Sequence, residues 1–492
     1  TNIVGDQEMT GDYISLGDTF NWYLGGMGSG HELKLGASIT SIEEKWYWPL
    51  YPQGLMMYVT DSRAIPYLYS YFEGTTDLEV DTTVFGIFAQ DHWRLSSDLS
   101  LSFGLRYDYD TDGNNPDFDD SPLVGPRSVD SDNIQPRFGF TWDIGGNGTT
   151  VIRGGAGIYV GRYLLVPAFV ERQQNGTSGA IFQRLNGLLL GLPPDFWLDA
   201  RDPENTGLLL PPNVGLLQDS LEAPEALQTS LGLTPRLGKT GLYLDVEGIY
   251  SEGDNEITLR DTNWAGNDAP GRLNPFYTSI NKYTNEGHSR YKALMVSLNG
   301  MLEGGHIVAC NLTWADKKNI SDDFSPAATS YPSDSADIAA EWGRARSDER
   351  WRAALTGIFR LPANLTVAPV YRYGSGQPWN RIVSYDRNGD TRFSDRLDGV
   401  PRNSEDGPSF STFDLRITWS LGVGIGTIDF IAEAFNFLNR VNYSVDSVDN
   451  AEFLAGPTLA NPDIPIVENP NFGVYGATRP PREIQLGIRY SF

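Results

Sequence analysis

Arg482-Glu483-Ile484-Gln485-Leu486-Gly487-Ile488-Arg489-Tyr490-Ser491-Phe492 is the stretch whose reading decides the fold. Side chains alternate across a strand with period two. Ile484, Leu486, Ile488, Tyr490 and Phe492 therefore share one face, and Glu483, Gln485, Gly487, Arg489 and Ser491 the other. A wall with hydrocarbon on one side and water on the other demands this pattern, and a transmembrane β-barrel supplies such a wall.

The pattern recurs along the chain. In Leu99-Ser100-Leu101-Ser102-Phe103-Gly104-Leu105-Arg106-Tyr107-Asp108-Tyr109 the apolar and polar residues again separate by parity. Its partner runs over 82–95 through the turn Ser96-Ser97-Asp98. Further hairpins join 138–143 to 151–159 and 227–233 to 242–250, and others meet at 303–305, 362–364 and 422–426. Gly and Asn in these turns supply the positive φ angles that tight reversals need. Long polar loops follow at the opposite end, over 110–133, 164–226, 316–349, 380–411 and 442–481. Soluble domains rarely carry so many loops of this size, whereas outer-membrane barrels combine short periplasmic turns with long extracellular loops.

The spacing predicts about fifteen strands. The first, near 13–24, precedes the turn at 25–30 and so descends toward the periplasm, as does the last, ending at Phe492. Barrels with both termini periplasmic need an even number. The expectation is an all-β antiparallel barrel portion over residues 1–492, to which missing residues add about seven strands to reach about twenty-two. The start at Thr1, without Met or a leader, fits a processed or partial chain.

Composition agrees. The chain has 63 Asp and Glu against 37 Lys and Arg, a net charge of −26, which argues against a nucleic-acid partner. No apolar run of about eighteen residues appears, so helical spans are excluded, but barrel strands escape that test. Aromatic residues make up 12% of the chain, which suits interfacial girdles but would also suit a large secreted β-sandwich. Trp46, Trp48, Trp93, Trp142 and Trp419 are girdle candidates near strand ends, with core packing the alternative for each. Cys310 is the lone cysteine, so no intrachain disulfide forms, and it reads as a small buried or lipid-facing residue.

Several segments resemble the barrel of TonB-dependent outer-membrane receptors, specifically the Oar-like branch with an N-terminal carboxypeptidase-regulatory-like domain. They are Gln135-Pro136-Arg137-Phe138-Gly139-Phe140-Thr141-Trp142-Asp143 with 150–159, Asp386-Arg387-Asn388-Gly389-Asp390 with 394–396, Phe413-Asp414-Leu415-Arg416, 432–439, and 479–492. Together they cover roughly 138–492; residues 1–130 fit less sharply, although 31–36 reads like a strand of the same family. The closing aromatics Tyr490 and Phe492 resemble the signal read by the barrel-assembly machinery. The resemblance implies uptake of a ligand across the outer membrane of a Gram-negative cell. A plug domain would fill the barrel and the TonB protein would pull on an N-terminal box. Neither plug, box nor regulatory-like domain is found in this chain, so a missing segment or a second chain would supply them. Outer-membrane lipid and lipopolysaccharide are the expected surroundings. The alternative is a structural or adhesive surface protein that displays its loops without transport; a third reading is a diffusion pore.

Candidate sites lie mostly in the loops. Asp386, Asn388 and Asp390 place oxygen ligands at alternate positions, as a calcium loop does. Thr391 and Leu397 stand where an EF-hand has Gly and Glu, with Asp395 or Asp398 as stand-ins; the alternative is an acidic turn. Eight Asp lie between Asp108 and Asp132 with only Arg127 opposing them. They form a solvated acidic loop, a cation-attracting mouth, or a surface that shares divalent cations with lipopolysaccharide. In the loop 164–226, Leu188-Leu189-Leu190 and Leu208-Leu209-Leu210 should be covered, as a lid over the mouth or by a partner protein. Arg106, Arg153, Asp245, Arg416, Asp429 and Arg489 point to the lumen, to hold a plug or to pair with one another.

No enzyme is expected and no substrate residue is assigned. His31, His92, His288 and His306 lack metal-ligand spacing. Gly154-Gly155-Ala156-Gly157 lies within a strand pattern and does not open a helix.

Overall fold

The computed structural model describes residues 6–25, 30–58, 65–323, 331–393 and 395–492. The expected turn at 25–30 lies largely outside them.

Fifteen long strands form the wall: β1 Glu8–Leu24, β2 His31–Tyr47, β3 Asp77–Arg94, β4 Leu99–Asp110, β5 Ile134–Asp143, β6 Thr150–Val160, β7 Glu225–Pro235, β8 Leu242–Asp261, β9 Ser279–Met301, β10 Ile307–Asn319, β11 Trp351–Leu361, β12 Leu365–Gly374, β13 Phe410–Val423, β14 Gly426–Phe435 and β15 Glu483–Ser491. Each pairs antiparallel with its neighbour in sequence. Among the described residues no pairing joins β1 to β15. Connections alternate without exception between short turns and long loops. At the turn 362–364, Ala363 and Asn364 both adopt positive φ (62° and 57°), which Asn tolerates better than most residues.

Register explains the apolar face. Phe103 sits opposite Phe138, with ring centroids 5.4 Å apart. Leu231 lies opposite Gly154 and Gly248. Trp419 stacks on Phe430 at 5.4 Å, and Phe430 lies opposite Ile488. Cross-strand partners share a face, so every wall strand adds to one exposed apolar band. Cys310, opposite Leu298 and Leu355, belongs to that band. Among the described residues no helix is long and apolar enough to cross a membrane, which does not bear on a wall of strands.

The inner face is polar, and its charges pair with one another. Arg106 chelates Asp108 at 2.6 and 2.7 Å, and Gln135 donates to the same carboxylate. Arg153 reaches Asp245 at 2.9 Å and Glu247 at 2.8 Å. Arg416 meets Glu433 at 3.1 Å, and Arg489 meets Asp429 at 2.6 Å. All six lumen residues singled out in the sequence are thus engaged by partners on the wall itself.

The long loops are more ordered than polar composition suggests. The segment 161–224 carries helix α1 (Val166–Gln174), the short strand Gly179–Leu185, which pairs with Pro66–Gly74, and the strand Asn213–Leu217, which runs parallel to the start of β9. α1 is buried almost all round: Phe169 is fully buried among Trp46, Trp48, Val80, Leu165 and Tyr283. The mouth of the wall therefore has a hydrophobic core of its own.

Candidate functional site

That core fixes a cleft at the mouth. Ser279, Asn281 and Tyr283 alternate at the start of β9, so they share one face; Asn213, Gly215 and Leu217 lie beside them in parallel register. Gly215 is required where it is. A Cβ there would stand 2.7 Å from Val170 Cγ1 of α1. These residues, Leu217 apart, line a cavity of about 310 Å³ with Gln174, Gln183, Tyr51, Tyr331 and Phe393. A second cavity of about 750 Å³ adjoins it and shares Leu259, Tyr331 and Phe393. Both volumes lie near or within the range of small-ligand sites, roughly 300–1,000 Å³.

A rail of hydrogen bonds runs along the smaller cavity. Gln183 Nε2 donates to Ser70 Oγ at 3.3 Å, and Asn213 Nδ2 donates to Gln183 Oε1 at 3.3 Å. Ser279 Oγ donates to Asn213 Oδ1 at 2.6 Å, and Asn281 Nδ2 donates to Ser279 Oγ at 3.1 Å. Arg392 donates to Asn281 Oδ1 and lies 3.3 Å from the centre of the Tyr331 ring. Mutual bonding holds each side chain in one orientation. The Tyr283 hydroxyl, on a fully buried side chain, has no partner among the described residues.

The larger cavity is walled by paired charges. Arg396 chelates Glu341 at 2.7 and 2.8 Å, and Arg402 donates to Asp322, to the Glu341 carbonyl and to Asn319. These bonds lock the loop 320–350 to the loop 375–409. Trp379, Asn380, Asn403 and Asn450 complete the lining.

Asp386, Asn388 and Asp390 come together in a turn. Asp386 accepts from the Gly389 and Thr391 amides at 2.7 and 2.8 Å. Asn388 Oδ1 accepts from the Asp390 amide, while its Nδ2 donates to Asn267 and Ser333. Asp390 Oδ1 accepts from the Arg392 amide. Among the described residues no three His, Cys, Asp or Glu side chains stand in an arrangement that could hold a metal ion.

Burial pushes the Asp390 carboxyl up to about 6 and the Asp395 carboxyl up to about 7. A carboxyl with a raised value holds its proton more tightly in the folded loop. The contribution of this pair to stability is full below about pH 4 and is lost as pH rises through 6 to 7. Amide exchange over 386–396, corrected for base catalysis, should therefore be slower at pH 5 than at pH 8. The difference should shrink in Asp390→Asn; equal protection at both pH values would refute the assignment.

The acidic loop after β4 surrounds a cavity of about 440 Å³ lined by Asp81, Asp112, Asp117, Asp119 and Asp120. The cation facing them is Arg172 of α1, not Arg127. Arg127 instead turns inward to a buried ion pair with Glu171.

The chain itself leaves much of the leucine runs uncovered. Leu188, Leu189 and Leu190 are 40, 42 and 57% exposed, and Leu209 is 48% exposed. The loop does pack into the mouth, through α1 and Asn213–Leu217. The first leucine run sits on a 3-10 turn, Gly187–Leu190, capped by Asn186.

Two girdle candidates are also corrected. Trp46 and Trp48 stack at 4.2 Å inside the mouth against α1. Leu35 and Ile39, at odd positions on β2, face outward, so the even-numbered Trp46 must face in. Trp142 and Trp419 are exposed on the apolar face, as are Trp314 and Trp351, a cross-strand pair the sequence reading did not single out. Tyr490 and Phe492 stack at 5.8 Å on that face.

Residues 11–389 match the family model described as the outer membrane beta barrel domain. The outer membrane transporter YddB from Escherichia coli superposes with a TM-score of 0.59 at 14% identity, covering 89% of this chain and 52% of that one. A mutant of the ferric enterobactin receptor PfeA from Pseudomonas aeruginosa gives 0.56 at 13% identity, covering 98% and 53%. The siderophore receptor PiuA from Acinetobacter baumannii gives 0.52 at 10%, covering 98% and 56%. At these identities the likeness is one of fold. The chain spans about half the length of each of these structures. No curated protein matches it.

Proposed function

The chain belongs to the outer-membrane β-barrel family, and from that premise we propose that it is the barrel portion of a receptor that imports a ligand across the bacterial outer membrane. The observation that carries this reading is the cleft. Loops from four parts of the chain, with the adjoining ends of β8 and β9, are locked over a polar lumen around a cavity with an ordered polar lining. A purely structural barrel has no need of such a lining. Ligand would be captured there and released inward.

Among the described residues β1 and β15 do not pair with each other, which supports a wall completed by further strands, with about twenty-two in all. Energy would be coupled through a plug and the TonB protein, as the resemblance of the wall segments implies. The exposed Leu188–Leu190 turn, with Phe196 and Trp197 each 41% exposed, favours a second reading, in which the loop displays a surface to another protein.

Uptake by whole cells separates the two. A cognate ligand should accumulate in energised cells, and a protonophore should abolish accumulation while leaving surface binding intact. Accumulation unaffected by the protonophore would point to passive diffusion. Surface binding with no accumulation at all would favour the display reading.

A further inference from the structure

We infer that the mouth cleft binds a neutral oligosaccharide, with Gln183, Asn213, Ser279 and Asn281 addressing its hydroxyls and Tyr51 and Phe393 flanking its rings. The inference rests on the receptor reading and names the ligand class for the same cleft.

Charge narrows the ligand first. Among the described residues that line the smaller cavity, Arg392 carries the one formal charge, and it is already bonded to Asn281 and stacked on Tyr331. A multiply charged anion brought into this cleft would lose its hydration without a free counter-charge. It would also approach a protein of net charge −26 past the acidic cavity beside Arg172. A cation would find no carboxylate in the smaller lining. A neutral polar ligand meets neither penalty.

Donor and acceptor chemistry narrows it further. Side-chain amides and hydroxyls each offer both a donor and an acceptor. Sugar hydroxyls do the same, so vicinal hydroxyls match successive members of the Gln183–Asn213–Ser279–Asn281 rail. Tyr283 lines the same cavity, and among the described residues its buried hydroxyl has no partner, a cost that a ligand hydroxyl reaching it would remove. Recognition of a peptide backbone would use a free strand edge. The strand beside the cavity, Asn213–Leu217, is instead paired with β9 along one edge, and on the other Asn213 pairs with Ile181 and the Leu217 amide donates to Glu171 of α1. Tyr51, Tyr331 and Phe393 add ring faces against which the C–H faces of a pyranose can pack. The adjoining cavity of about 750 Å³, where Asn380, Asn403, Asn450 and Trp379 stand beside paired charges, leaves room for more than one unit.

Calorimetry on the receptor purified in detergent tests this without any need for energy coupling. The probes are neutral gluco-, manno-, galacto- and xylo-hexasaccharides, run beside ferric catecholate and ferric hydroxamate chelates. At least one hexasaccharide should bind with Kd below about 1 mM. Asn281→Ala and Asn213→Ala should each weaken it about tenfold, as loss of an ordinary hydrogen bond from a desolvated site does. Asn281→Asp, nearly isosteric, should weaken it as well while leaving the far-ultraviolet spectrum and melting unchanged, which guards against a folding artefact. Silence of all four sugars overturns the inference, as does sugar binding indifferent to all three variants. Binding of a chelate, weakened by the same substitutions, overturns the sugar assignment but leaves the receptor reading standing. Sugar binding with protonophore-insensitive entry into cells does the reverse.

Discussion

Glu171→Ala should free the loop 161–224 from the mouth and abolish ligand capture. Glu171 and Arg127 are 0% and 1% exposed at their side chains. The carboxylate takes two bonds from the guanidinium, at 2.5 and 2.7 Å, one from Asn115 Nδ2 and one from the Leu217 amide, both at 2.8 Å. It thereby ties α1 to the acidic loop and to the strand that carries Asn213. Removing it leaves a buried guanidinium without its counter-charge, and breaking a buried pair in this way costs about 3–5 kcal/mol. Native-state hydrogen exchange over α1 should register a loss of that size, and protease should begin to cut within 161–224, while the wall strands keep their protection. Replacing both partners with Met should recover most of the loss, because a buried pair is often exchanged for apolar residues at little cost. Unchanged exchange in Glu171→Ala would show that α1 is held by its apolar contacts alone.

Leu231→Arg should be the most damaging single change on the wall. Leu231 is 60% exposed, in the middle of β7, and its neighbours on both sides are glycines. In water such a residue could become Arg almost freely. Facing hydrocarbon near the bilayer midplane, an Arg costs about 2–4 kcal/mol. Gln228→Arg, on the opposite face of the same strand, should cost little. Reversible denaturation from phospholipid vesicles measures both. Equal stability of the two variants would contradict a lipid-facing band.

The wall was legible because its physics is local. Period-two alternation and turn residues lie within about ten residues of each other, and they specified fifteen strands and two unlike ends. Parity, applied consistently, would also have turned Trp46 inward, since Leu35 and Ile39 fix the outer face of β2. A Trp near a strand end also suits a girdle, so its position alone leaves girdle and core packing open. The mouth was far less legible. Leu188–Leu190 looked like the residues in need of cover, yet Phe169, Leu216 and Leu217 form the buried contacts. α1 begins at Val166-Pro167 without a side-chain cap, so the strongest helix-start signal is missing. The cleft was out of reach: Gln183, Asn213, Asn281 and Arg392 meet only through a parallel register between a loop strand and β9, and nothing in the sequence announces that pairing. The Arg127–Glu171 tie was hidden likewise, since its partners belong to different loops.

Because every wall strand finds its partner next to it in sequence, the length of any loop is almost irrelevant to the energetics of the wall. Closure entropy grows only with the logarithm of length, about 0.6 kcal/mol for each doubling. The loop between β6 and β7 is roughly four times as long as that between β8 and β9, a difference worth only about 1.2 kcal/mol of closure. Selection can therefore rebuild the outer surface by insertion, adding a helix or a strand pair at a time, while the membrane-embedded frame keeps its register. Cargo preference in such a molecule can diverge quickly on a scaffold that hardly changes.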